Sequence, residues 1–144
     1  MFKVKKVLSN AKLPTRAHDT DACFDLYNAE TEEVIIPPEG SAVFHTGIAV
    51  EIPAGYFAPV FSRSGMGFNQ DLRLANCVGI IDAGYRGEWM VKLVNDSDKY
   101  QRVIEPGDRI AQFTILPLLY IELVEVDELT DTDRGEGGFG STGK

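Results

Sequence analysis

Short apolar runs, several with every second residue polar, recur along the chain and are broken at close intervals by proline, glycine and aspartate. The runs at 34–36, 43–52, 56–61, 89–94, 110–116 and 120–126, with Phe2 and Val4 ahead of them, have the length of strands. The punctuation between them, Pro37-Pro38-Glu39-Gly40, Pro53-Ala54-Gly55, Asp82-Ala83-Gly84 and Glu105-Pro106-Gly107-Asp108, is turn chemistry. Regular turns between short strands predict an all-β sandwich. Only the segment after Arg63 has room for a helical turn or two, and no window sustains a long 3.6-residue amphipathic pattern, which disfavours a βαβ nucleotide fold.

A chain of 144 residues is long enough for one core and short for two. From about Thr130 the composition shifts to Gly, Asp, Ser and Thr, which cannot build a core of its own. The division expected is a β domain over 1–129 and a flexible arm over 130–144. An ordinary solvated tail is the plain reading of such a stretch. Arg134 and Phe139, isolated among glycines, look instead like contact groups carried on that arm.

Fourteen Lys and Arg against twenty-two Asp and Glu give a formal charge of −8. No basic stripe is present to displace counterions from a nucleic-acid backbone, so nonspecific DNA or RNA binding is not expected. The opening residues lack the apolar run of a signal peptide, and no stretch approaches a membrane span, so a cytoplasmic protein is expected. Cys23 and Cys77 stand far apart and read as reduced, packed thiols.

Four places attract chemistry. Ser62-Arg63-Ser64-Gly65 sets a guanidinium, two hydroxyls and a permissive glycine side by side, a combination that holds phosphates or merely makes a surface turn. The stretch 79–87, GIIDAGYRG, puts an acid and an aromatic at a glycine-rich tip joining two apolar strands. It is either a hairpin with Asp82 supplying turn chemistry, or a tip exposing backbone groups to a base, with Tyr85 as a flat wall and Asp82 placed to deprotonate water. Gly107-Asp108-Arg109-Ile110-Ala111-Gln112 is a turn entering a strand, and on simple alternation Arg109 and Gln112 need not share a face. The fourth is the tail from Arg134 to Gly143. A protein-built metal cage is poorly supported, because His18 and His45 are isolated and the acids have no EF-hand spacing. Magnesium arriving with a triphosphate remains open, whereas a serine hydrolase lacks its GxSxG elbow.

These four places, preceded by Ala22-Cys23-Phe24-Asp25-Leu26, fall in the order of the five motifs of the trimeric dUTPase family, and the resemblance runs from about Lys12 to Gly143. It implies a jelly-roll-like β-clip domain forming a homotrimer, each site assembled from three subunits and closed by the C-terminal arm. The implied reaction is hydrolysis of dUTP to dUMP and pyrophosphate with Mg2+. The resemblance makes Asp82 the general base and Tyr85 the wall behind the deoxyribose. Asn76 and the backbone from Gly79 to Ile81 would read the uracil edge. Arg63, Ser64 and Gly65 would hold phosphates from another subunit, with Gln112 near the α-phosphate and Arg109 in support. Asp25 would face either a metal hydration shell or a neighbouring arginine. In the arm, Arg134 would reach the phosphates, Phe139 would cover the uracil, and Gly140, Ser141 and Thr142 would wrap the γ-phosphate.

Three positions depart from the family pattern: Cys23 and Asp71 stand where glycine is usual, and Gly84 where many members carry a second acid. The related dCTP deaminases need a glutamate as proton carrier in the strand after the tip; Lys92 occupies that place, which disfavours deamination. A dUTPase-like nucleotide-sensing regulator is the alternative from outside the enzymes.

Overall fold

In a computed structural model of the protein, residues 2–138 are described. In chain order they form β1 (Lys3–Lys6), β2 (Phe24–Tyr27), β3 (Val34–Ile36), β4 (Ser41–Glu51), β5 (Tyr56–Phe61), α1 (Ser64–Gln70), β6 (Leu72–Leu74), β7 (Val78–Ile81), β8 (Glu88–Asn95), β9 (Arg102–Ile104), β10 (Arg109–Phe113) and β11 (Leu116–Pro117). One sheet runs β1-β4-β8-β6. A second runs β11-β5-β10-β2, with β7 also bonded to β5, and β3 and β9 make a separate ribbon. No helix among the described residues is long and apolar enough to cross a membrane.

Strand β8 shows why the sheets stack. Trp89, Val91, Leu93 and Asn95 are buried, while Met90 and Lys92 point the other way and are exposed. The buried set meets Leu26, Val60, Ile110 and Phe113 of the second sheet in one core. Trp89 meets Phe113 edge-on at 5.0 Å between ring centroids, and Phe113 stacks on Phe24 at 5.5 Å. Contacts of this kind add about 1 kcal/mol each beyond the area they bury.

The ends of β8 and α1 are fixed by polar side chains. Asn95 is fully buried; its amide donates to the carbonyls of Ile36, Pro37 and Tyr100, and its oxygen accepts from the Ser97 N–H. Helix α1 ends at Asp71 in the left-handed conformation, with φ +54°. An aspartate tolerates that geometry at modest cost. Arg102 holds it there, donating from Nε to the Gln70 carbonyl and from Nη2 to the Asp71 carboxylate. Cys23 is not among the residues with positive φ, so the missing glycine leaves no strain there.

The structure departs from the sequence reading in four places. Cys77, expected as a packed thiol, is exposed. Residues 120–126, expected as a strand, pair with none of the described residues; after Leu118 N–H donates to Gly55, the next backbone bond among the described residues is that of Gly135 to Thr132. The run 110–116 is divided, β10 ending at Phe113 and β11 beginning at Leu116. The tip at 79–87 does not close a hydrogen-bonded hairpin, because β7 pairs with β5 while β8 pairs with β4 and β6.

Candidate active site

With its two arms in different sheets, the tip spans an open seam of the sandwich. Two adjoining cavities of ≈ 320 and ≈ 250 Å³ occupy the seam, with Ile80, Ile81, Trp89 and Met90 lining both. Asn76 and Gly79 line the first, and Asp82 and Tyr85 line the second. Among the described residues, strand β7 is bonded on one edge only, through Ala58↔Ile81 and Val60↔Gly79. Its other edge presents unpaired backbone groups, which suit an in-plane partner such as a base edge.

The loop at the mouth is held by its own residues. Tyr85 N–H donates to the Asp82 carbonyl at 3.1 Å, and Arg86 Nη1 donates to the carbonyls of Ala83 and Tyr85. The Tyr85 hydroxyl donates to the Glu88 carbonyl at 3.0 Å. Its ring lies so close over Gly87 that a Cβ there would collide with it. The Asp82 carboxylate is exposed and accepts no hydrogen bond from the described residues. Gly84 has open space around it, so the side chain usual in the family has room.

The second constellation gathers around Asp25. One of its oxygens accepts from Arg63 Nε at 3.0 Å, the other from Arg109 Nη1 at 3.2 Å. Arg63 also donates to the Arg109 carbonyl, and Gln112 Nε2 donates to the Ser62 carbonyl at 3.0 Å. Two guanidiniums on one carboxylate leave a surplus positive charge, and both keep N–H donors without partners among the described residues. The amides of Ser64 and Gly65, at the start of α1, also bond to none of the described residues.

Arg109 and Gln112 share this site because β10 is irregular. Opposite β2, Arg109 pairs with Tyr27 but Ala111 with Leu26, so Ile110 is an extra residue. A bulge of one residue reverses the parity of everything beyond it, which brings positions three apart onto one face. Simple alternation could not anticipate this.

Asp25 thus sits on the arginines, the second of the two roles open to it. Among the described residues no group of three or more His, Cys, Asp or Glu side chains is arranged to hold a metal. With both Asp25 oxygens engaged by guanidiniums, the residues present do not build a resident magnesium cage.

The two constellations lie apart within one chain. Ile81 is opposite Ala58, so Asp82 lies one step outside that pair, and Arg63 lies five residues along β5 in the other direction. At about 3.3 Å per residue the separation along the strand is about 20 Å. Arg134 makes a turn of its own, Nε donating to Gly137, with no hydrogen bond to either constellation. Phe139, Gly140, Ser141 and Thr142 lie outside the described residues.

Sequence reasoning gave no role to Arg86 or Glu88, and counted the Ser62 hydroxyl toward a phosphate cradle, whereas it accepts from the Leu74 N–H. The signal for the first two was their place beside Tyr85; for Ser62 no sequence signal marks the role.

A β sandwich with a free strand edge along its seam and a doubly basic cradle elsewhere defines an all-β protein built for a phosphorylated ligand. The sequence model of the family described as dUTPase matches residues 9–143. A deoxyuridine 5'-triphosphate nucleotidohydrolase of Alkaliphilus metalliredigens is 45% identical over 142 residues, covering 99% of this chain and 96% of its own. That of Mycobacterium marinum is 48% identical over 136 residues, covering 91% and 87%. Among solved structures, the dUTPase of Staphylococcus bacteriophage 80alpha with dUPNHPP superposes with a TM-score of 0.86 at 34% identity, over 100% of this chain and 99% of that one. A variant dUTPase of S. aureus phage phi11, described for its coordination of a structural Mg(II) ion, gives 0.80 at 31% identity, over 89% and 97%. The chain belongs to the dUTPase family.

Proposed function

We propose that the protein hydrolyses dUTP to dUMP and pyrophosphate, at sites that three copies of the chain build together. The observation that carries this reading is the seam: an unpaired strand edge for the base, with the Tyr85 ring and the free Asp82 carboxylate together at its mouth. The β7 edge, with Asn76, reads uracil, and Tyr85 closes against the deoxyribose so that a 2′-hydroxyl lacks room. Asp82 takes a proton from a water that attacks the α-phosphorus in line; the new P–O bond forms as the bond to the pyrophosphate oxygen breaks.

The phosphates need the second constellation, and the separation of about 20 Å along β5 supports its coming from a neighbouring copy. There Arg63 and the amides of Ser64 and Gly65 hold phosphate oxygens, Gln112 stands near the α-phosphate, and Arg109 with Asp25 fixes the Arg63 guanidinium. The homotrimer gains support from residues 118–129, whose apolar side chains are uncovered: Leu119, Ile121 and Leu123 are 82%, 86% and 94% exposed. The arm from 130 onward closes the site, with Arg134 and Ser141, Thr142 and Gly140 on the phosphates and Phe139 over the base. Bound with dUTP, Mg2+ would neutralise phosphate charge, and Asp25, with both oxygens on guanidiniums, would contact it at most through water. The substrate belongs to the intracellular nucleotide pool, so the cytoplasm is the compartment that fits.

The test is to incubate the purified protein and magnesium with each deoxynucleoside triphosphate in turn and measure pyrophosphate. Selective release from dUTP is expected; deamination of dCTP, or inertness toward dUTP, overturns the reading. In the same assay Asp82→Asn should lower turnover by at least about 10²-fold while dUTP binding persists, since only the proton acceptor is removed.

A further inference from the structure

We propose that His45 and Glu88 form a positioning pair for the Tyr85 ring, and so set the discrimination between deoxyribose and ribose triphosphates. The proposal rests on the reading of Tyr85 as the wall of the sugar site. It begins in β4, where His45 pairs with Met90 and Ala49 with Glu88, so that three residues of β4 stand opposite Trp89 alone. This wide bulge loses ladder bonds and regains them from side chains. Thr46 Oγ1 donates to the Trp89 carbonyl, and Gly47 N–H donates to Glu88 Oε1 at 2.8 Å. Gly47 itself is fixed, with φ +68° and Ala11 too close for any Cβ.

The other Glu88 oxygen, Oε2, lies 2.9 Å from His45 Nδ1. The Glu88 carboxylate is therefore held at both ends, on the bulge amide and on the imidazole. The carbonyl of the same residue receives the Tyr85 hydroxyl, and the preceding Gly87 lies under the Tyr85 ring. One short stretch, Gly87-Glu88, thus places both the ring and its hydroxyl, and beyond the Ala49↔Glu88 pairing its side-chain ties to β4 are the Gly47 amide and His45 on the Glu88 carboxylate. No other described side chain hydrogen-bonds to the Glu88 carboxylate.

The charged groups around His45 are Glu88 and, diagonally on the same face of β8, Lys92, together with Glu30, whose Oε1 accepts from the His45 N–H. The bond to Glu88 raises His45 above the ordinary imidazole value; desolvation opposes it, and the charges of Glu88 and then Glu30 add smaller upward contributions. A raised folded value means that the contribution of the pair is complete below the ordinary imidazole pKa and is lost as pH rises through the raised one. The anchor therefore loosens on the alkaline side.

The experiment measures kcat/KM for dUTP and UTP in the wild type, Tyr85→Ala, Glu88→Ala, Glu88→Gln and His45→Gln, with the Tyr85 ring and His45 resonances followed by NMR. Glu88→Ala should raise UTP relative to dUTP by at least about threefold, and by less than Tyr85→Ala, since a misplaced wall is better than none. Glu88→Gln, which keeps an acceptor for Gly47, should shift the ratio less. In the wild type the ratio should drift toward UTP as pH rises through the His45 titration, and His45→Gln should abolish the drift. The proposal fails if folded Glu88→Ala and His45→Gln keep the wild-type ratio and pH profile while Tyr85→Ala shifts. If Tyr85→Ala leaves the ratio unchanged, the sugar-wall reading fails instead. The pair is then judged on the Tyr85 resonances alone: movement in His45→Gln supports it, and an unaltered ring environment overturns it.

Discussion

At Gly65 an added methyl would meet nothing within 4 Å, and the backbone does not lie in the left-handed region, whereas Gly47 combines φ +68° with Ala11 at its back. Chain geometry therefore requires glycine at the second position and not at the first. What Gly65 leaves free is the approach of something from outside the chain, as a phosphate held by the neighbouring amides would need. Gly65→Ala should keep or slightly raise stability, within about 1 kcal/mol, because alanine favours helix. Its kcat/KM for dUTP should fall at least about 10-fold, the effect of a small misplacement of reacting groups. Gly47→Ala should do the reverse in kind, lowering stability in urea by at least about 1 kcal/mol through strain and overpacking. A fully active Gly65→Ala enzyme would remove the close approach from the proposed site.

Among the elements, β8 depends most on one polar residue. Replacing Asn95 by Ala strips partners from three carbonyls and the Ser97 amide in a dry setting, so a loss of at least about 2 kcal/mol is expected by urea unfolding. An unchanged midpoint would mean that water replaces the amide there. The strands were legible where burial on one or both faces writes itself into apolar spacing: β3 and β5 stand at the residues expected from 34–36 and 56–61, and α1 follows Arg63. Strands β2, β6 and β9 were not read from that spacing; the last two are three residues long and each carries an arginine, so no unbroken apolar run marks them as Val34-Ile35-Ile36 marks β3. The bulges in β4 and β10 were invisible, because a shift in pairing is a property of two strands and the sequence displays one at a time. That is why Arg109 and Gln112 could be picked as site residues from motif resemblance but not placed together by alternation. Residues 120–126 show the opposite failure, in which apolar residues are present but form no strand among the described residues and stay exposed.

For the whole molecule, the uncovered apolar side chains of 118–129 make the isolated chain an incomplete folding unit, so thermal stability should rise with protein concentration as copies associate. A midpoint independent of concentration over a hundredfold range would argue for a stable monomer. Deleting residues 132–144 should spare the folded assembly and remove most dUTP hydrolysis, since a stretch so rich in glycine and polar residues is not one a core depends on. Mixing the deleted chain with Asp82→Asn chains, and isolating the mixed assembly after joint refolding, should restore part of the activity that neither parent has. Verified mixed assemblies as inactive as both parents would place the arm and the base in the same subunit. The seam has a consequence of another kind. Its two walls are strands of different sheets, and the gap between them is kept by residues such as Leu74 and Val91, which belong to the core and line the cavity at once. The fit for a base is therefore gauged from inside the protein, by spacers that no nucleotide needs to touch, and trimming or enlarging one of them would retune selectivity without altering any group that binds the substrate.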